Sequence, residues 1–376
     1  SQWGWMAPPG AITNLSQVAE QNVAFSNGVA TYRALDWNFN RMNWNTNWRM
    51  SASYVTGAHS MKFGYQHGYD VDNGTAVYNN TRLNYRFNNG VPNQFTMRLG
   101  NWYNDNRTNH YGLFVQDQWT RERMTVQAAR RFERAWSYFP AGQGWDGPDR
   151  FHAQPIVFPE VQGVPGFNDL TPRAGLAYDV FGNGKTSFKV NIGKYLQSAN
   201  NQDRYVASNP ANSFQQTTAR NWVDGNGNYF PDCDLMNPAA QNNLASGGDS
   251  CSQWVSPNFG SAQSVAAVNP ALLQGWGIRP SDWQFGAALQ QEVLPRTSVE
   301  VSYSRRWFQG FSVTDDRAVS SADYDPFSFT TPADPNLPGG GGYQVSAVNI
   351  NPAAFGRFAN NYVTFASDYG NQSAYW

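Results

Sequence analysis

Apolar and polar residues alternate one by one through several stretches of this chain. In "YGLFVQDQWT", Tyr111, Leu113, Val115 and Trp119 share one parity against Gly112, Phe114, Gln116 and Gln118. Beyond four polar residues, Met124, Val126 and Ala128 resume the apolar side. Period-two alternation predicts strands whose two faces meet different surroundings. The design recurs in Trp48, Met50, Ala52 and Tyr54, then in Met61, Phe63, Tyr65 and Tyr69. It returns in Ala174, Leu176, Tyr178 and Val180 followed by Phe188, Val190 and Ile192. A last pair is Trp283, Phe285, Ala287 and Leu289 followed by Val299, Val301 and Tyr303. Four hairpins are predicted, each closed by about four or five residues. Further strands are expected near 26–36, 82–88, 94–100 and 361–369.

Between the hairpins, residues 135–169, 198–280 and 313–360 are rich in Pro, Gly, Asn and Gln and keep no period. They are predicted to be long loops, which compact soluble domains rarely carry. Short turns at one end and long loops at the other define an all-β, antiparallel transmembrane β-barrel with periplasmic turns and extracellular loops. A soluble sandwich is the alternative for the same alternation. In the barrel reading Leu113, Val115, Val126, Leu176, Val190, Ile192, Leu289, Val299 and Val301 face lipid. Trp119 lies beside a short turn and Trp48, Trp283 and Trp307 lie towards the long loops, marking two interfacial rings. The Gly, Gln, Asn and Lys parity then faces a wet or filled interior. Hydrocarbon tolerates no open strand edge. Roughly ten to twelve strands can be counted, so residues 1–376 are expected to be one partial-barrel domain of a larger wall.

Composition narrows the partners. Only 14% of residues are charged, the net charge is −1, and no basic stretch exists to neutralise phosphates, which excludes nucleic acid. The mean hydropathy of −0.59 and the lack of any eighteen-residue apolar run exclude helical membrane spans.

The stretches "YGLFVQDQWT", "LTPRAGLAYDVFGNGKTSFKVNIGKYL" and "LLQGWGIRPSDWQFGAALQQEVLPRTSVEVSYSRRWFQGF" resemble the barrel of TonB-dependent outer-membrane receptors. The loops "NYFPDCDLMNPAAQ" and "DPNLPGGGGYQV" resemble the Oar-like branch, which carries an N-terminal carboxypeptidase-regulatory-like domain. The similarity covers most of residues 45–376. It implies a segment of a barrel of about twenty-two strands, with outer-membrane lipid as solvent and an unknown extracellular ligand. It also implies a plug and coupling to TonB, through regions not matched in this chain. Where the family favours a Leu-like residue, this chain has Arg130. A lipid-facing Arg near the bilayer midplane costs about 2–4 kcal/mol. Either a bulge or register shift turns it inward or it snorkels, or another protein chain covers that face, or the assembly is not in ordinary lipid.

Candidate chemistry is sparse. In "DGNGNYFPDCD", Asp224, Asn226, Asn228, the Phe230 carbonyl and Asp232 follow a calcium-loop spacing, with Asp234 replacing the missing bidentate Glu. The same residues could form an Asn/Gly turn that needs no ion. Cys233 and Cys251, close in sequence, suit one disulfide, with two free buried thiols as the alternative. "GNGKTS" lacks the first Gly of a phosphate loop and precedes a strand, so it reads as a turn. The four histidines form no HExxH pair, and neither an enzyme nor an organic cofactor is expected. Trp136, Tyr138, Trp145, Trp222, Trp254 and Trp276 either pack the loops together or stack on a ligand.

Overall fold

A computed structural model describes residues 15–21, 30–261, 266–357 and 359–370. Eight long strands follow one another as an up-and-down wall: β1 (Trp37–Thr56), β2 (His59–Tyr78), β3 (Trp102–Arg121), β4 (Met124–Phe139), β5 (Gly166–Asp179), β6 (Thr186–Leu196), β7 (Ser281–Leu294) and β8 (Thr297–Gln309). Each pairs antiparallel with its sequence neighbour. The fold class is therefore as expected from the alternation. Within the wall β1 and β8 each pair with a single long strand, so the barrel does not close among the described residues.

Residues 57–58, 122–123, 180–185 and 295–296 close the hairpins at one end. Three of these turns are two residues long, shorter than expected, because polar residues such as Thr56, His59 and Arg121 continue the ladder. Gly57, Glu122 and Arg296 supply the positive φ that such tight turns need. In the fourth, the Asp179 carboxylate accepts from the Gly182 and Gly184 amides at 3.0 and 2.8 Å. At the other end run connections 79–101, 140–165 and 197–280. The expected loop 135–169 is thus shorter than its boundaries suggested. β4 continues to Phe139 and β5 begins at Gly166, since Ala135, Ser137 and Phe139 are buried on the ladder.

Parts of the long connections, with Gln17–Glu20 and Ala30–Tyr32 from ahead of β1, form a cap with its own seven-stranded sheet. Its order is Gln241–Asn242, Ser250–Cys251, Thr217–Val223, Val91–Arg98, Leu83–Asn88, Gln17–Glu20 and Ala30–Tyr32. The strands expected near 82–88 and 94–100 are present, but in this cap and not in the wall. Residues 26–29 of the expected 26–36 strand lie outside the described residues. Leu83, Tyr85 and Phe87 alternate onto the same side as Phe95, Met97 and Trp222, and all are buried. Trp222 meets Phe95 edge-on at 5.9 Å and Tyr85 at 5.3 Å. The largest hydrophobic core thus belongs to the cap. Residues 197–213 fold over the inner side of β3. There Thr108 donates to Asn201 at 2.7 Å, and Asn209 donates to Asn106 at 2.9 Å.

A second compact unit comprises Ala266–Leu272 and Gly310–Gln372. It holds a sheet of Ala267–Val268, Asn361–Phe365 and Ser312–Asp316, and a hairpin of Tyr324–Thr330 with Gln344–Ile350. The expected loop 313–360 therefore contains strands.

Candidate functional site: the two faces of the wall and its cap

The register places Leu113, Val115, Val126, Leu176, Val190, Ile192, Leu289, Val299 and Val301 on one face. Val126 pairs with Leu176, Leu176 with Val190, and Leu289 with Val301. Leu113, Val115, Ile192, Leu289, Val299 and Val301 are exposed, so nothing among the described residues covers them. Trp119 sits beside the 122–123 turn next to His59, and Phe181 lies in the neighbouring turn. Trp48 pairs with His67, and Trp283 with Trp307, farther up the strands. Eight residues separate Trp48 from Thr56, the partner of His59, which on strands tilted by about 40° is roughly 20 Å of height. That height suits an apolar band flanked by aromatic rows.

Arg130 stands on the same outer face, opposite Val115 and Pro172. No register shift interrupts β3, β4 or β5, so a bulge that would turn Arg130 inward is ruled out. The side chain is exposed among Leu113, Phe132 and Leu170.

The inner face is polar and tightly seated. Asp169 and Glu133 lie directly opposite each other on β5 and β4, a pairing of like charges that destabilises a sheet. Arg279, from the connection before β7, enters between them and is fully buried. Its Nε donates to Asp169 at 3.1 Å and its Nη2 to Glu133 at 2.5 Å, while Arg131 holds the other Glu133 oxygen at 2.5 Å. Tyr205 packs edge-on against Phe167 at 5.6 Å, and burial pushes its phenol up to about 12. A Cβ on Gly112 would lie 2.4 Å from the Arg131 guanidinium, and one on Gly64 would lie 2.2 Å from the Phe114 ring. These glycines are seats for the long side chains beside them. Arg49 lies 4.6 Å above Phe114 and Arg173 lies 4.3 Å above Tyr195. With Gln66 and Asp70, they line a cavity of about 700 Å³. Its chemistry suits water and an anionic or hydrogen-bonding occupant.

In the cap, Cys233 and Cys251 are joined by a disulfide within the core around Trp222. Trp145 and Trp222 are buried and Trp254 packs against Phe259, which favours loop packing for these rings. Trp276 is exposed and lies 5.7 Å from Phe132, whereas Trp136 and Tyr138 belong to β4. The 224–234 loop is closed by its own side chains. Asp224 accepts from the Gly227, Asn228 and Tyr229 amides, and Asn228 Oδ1 accepts from Phe230 N. Asn226 and Asn228 both donate to Asp232, while Asp234 accepts from Met236 N. Calcium would have to displace the two amides from Asp232. Arg220, wholly buried, donates to the carbonyls of Ser252, Asp234, Asn237 and Ala239 at 2.6–3.2 Å. Burial draws its guanidinium below its ordinary value.

Arg220, Arg279, Glu133 and Asp169 had no sequence signal. Arg279 stands 110 residues from Asp169 and 146 from Glu133, so no local pattern joins them.

The family model of the outer membrane beta barrel domain matches residues 6–305. Among solved structures, the outer membrane transporter YddB from Escherichia coli is 12% identical, with a TM-score of 0.42, covering 83% of this chain and 33% of its own. The copper transporter OprC is 11% identical, with a TM-score of 0.23, covering 79% of this chain and 55% of its own. The chain thus spans about a third of the first and about half of the second. No curated protein sequence matches it.

Proposed function

The chain belongs to the outer membrane beta barrel domain family, and from that premise we propose that it is part of the wall of a TonB-dependent transporter for a large nutrient. Its setting is the outer membrane, with lipid against the Leu113–Val301 face. The observation that carries the reading is one wall with an uncovered apolar side and an inner side of charges seated on glycines. Inner residues such as Arg49, Gln66 and Arg173 then line the passage or meet a plug. The Oar-like branch, TonB coupling, an extracellular ligand and a partner chain on the Arg130 face all belong to this reading. So does the absence of catalysis.

Cross-linking the complete protein to the periplasmic domain of TonB in native outer membranes tests the coupling. Capture that increases when spent growth medium supplies the ligand is expected. A complete reading frame without plug sequence, together with no capture, would replace transport by a second reading. That reading is a surface scaffold that keeps the barrel pattern, and the outward Arg130 favours it.

A further inference from the structure

Resting on the outer-membrane reading, we propose that the Arg130 face is an interface between two copies of this chain, in which Arg130 of each copy pairs with Asp117 of the other. Arg130 is level with Val115, four residues from Trp119 on one side and four from Tyr111 on the other. On tilted strands this is about 10 Å from either aromatic row. The guanidinium therefore stands at mid-depth in the apolar band, out of range of the lipid phosphates at its rims. None of the described ion pairs includes it. A carboxylate at comparable depth has to come from protein.

The same face supplies one. Asp117 shares the parity of Val115 and Trp119, two residues nearer the turn, which is roughly 5 Å lower. Its side chain is about a third exposed. Oδ2 is held by His59 Nδ1 at 2.6 Å and, as a carboxylate oxygen, keeps a lone pair for a second donor, whereas Oδ1 is buried without a partner among the described residues. A two-fold axis along the membrane normal keeps depths equal between copies and brings residue i of one copy to residue j of the other, and the reverse. One patch bearing an exposed cation and a partly exposed carboxylate, two residues apart in depth, complements itself under that operation. Small side chains help the approach. Ala128 lies opposite Ala174, and Arg130 opposite Pro172. Beside them Met50, Ala52, Phe63, Leu113, Phe132 and Leu170 line an apolar hollow of about 700 Å³ that accepts side chains of the second copy.

The test uses the complete polypeptide, labelled in separate donor and acceptor batches and reconstituted into phospholipid vesicles at low protein density. Wild type is expected to show energy transfer well above that of random proximity. Arg130→Asp alone and Asp117→Arg alone each juxtapose like charges in a pair of identical copies, so each is expected to lose the transfer. Mixing the two variants restores opposite charges at both contacts, so transfer is expected to return. An ion pair within one chain would give no such recovery. Arg130→Leu, which lipid accommodates, serves if the charge reversals fail to insert, and at least tenfold weaker association is expected of it. Wild-type transfer no greater than random, undiminished association of Arg130→Leu, or a dark mixture of inserted reversals would overturn the pairing. Failure of wild type to insert into vesicles would instead remove the membrane reading itself.

Discussion

Replacing Arg220 with Ala should open the cap while leaving the wall intact. The guanidinium is fully buried and satisfies four carbonyls from residues 234–252. The Asp234 carbonyl also accepts from Gln241 Nε2 at 2.7 Å, so three carbonyls lose their donor. Asn237 and Ala239 are exposed residues and Ser252 is half-buried. A carbonyl orphaned away from water costs about 1–3 kcal/mol, which sets a ceiling of about 3–9 kcal/mol for a rigid, sealed cap. Water entering the vacated side-chain volume recovers part of this, which leaves about 3–5 kcal/mol. Amide hydrogen exchange in lipid nanodiscs reads the change. Over 217–223 and 234–252, exchange should accelerate about 10²- to 4 × 10³-fold, since each 1.4 kcal/mol is a decade. Peptides of β3–β6 should stay unchanged. Arg220→Lys should recover less than half, because a single ammonium cannot present the planar fork that spans four carbonyls. Cap protection within tenfold of wild type in Arg220→Ala would refute the reasoning.

Arg279→Met strands Asp169 and Glu133 opposite each other and should cost about 3–5 kcal/mol, read as a lower unfolding temperature. Adding Asp169→Asn and Glu133→Gln should return most of it, and no recovery would contradict the like-charge account. Gly112→Val drives a side chain into the Arg131 guanidinium and should cost about 1–3 kcal/mol, measured by the same melt. Cys233→Ser opens an eighteen-residue span, worth about 3 kcal/mol in the chain-entropy account. Its effect should appear as faster proteolysis between 224 and 251. Calcium at the 224–234 loop lacks a bidentate acid at the twelfth position, where Leu235 stands. Half-saturation is expected at about 1 mM or above, followed by terbium luminescence, and saturation at micromolar calcium would overturn that expectation.

The wall was legible because its signal is local. Leu113, Val115 and Trp119 declare a strand and its outer face within nine residues. Because the period is two, the outer parity of every other hairpin followed from its own residues. Turn lengths were misread at Thr56–His59, since hydropathy cannot show a ladder continuing through polar residues. The cap was illegible for the opposite reason. Leu83, Tyr85 and Phe87 alternate like wall strands, and nothing local tells them that their partner is Trp222 and not lipid. Arg130 falls between the two cases. Its parity with Val126 and Ala128 was plain, but only an unbroken register across three strands excludes an inward bulge.

Two solvents hold this chain together, and each stabilises a different part. Around Trp222 the cap excludes water with its own side chains, so its hydrophobic stabilisation is present whatever surrounds the protein. Leu113, Leu289 and Val301 expose their apolar surface from a fully paired wall and gain that stabilisation only when hydrocarbon or another protein covers them. Substitutions should therefore sort by compartment. Truncating Phe95 or Trp222 leaves a cavity in bilayer and detergent alike, whereas truncating Val301 exchanges lipid contact for lipid contact and costs little. Arg130 is an outer-face position, at mid-depth, where hydrocarbon is the wrong solvent, and its effect on stability consequently depends on whether a carboxylate covers it.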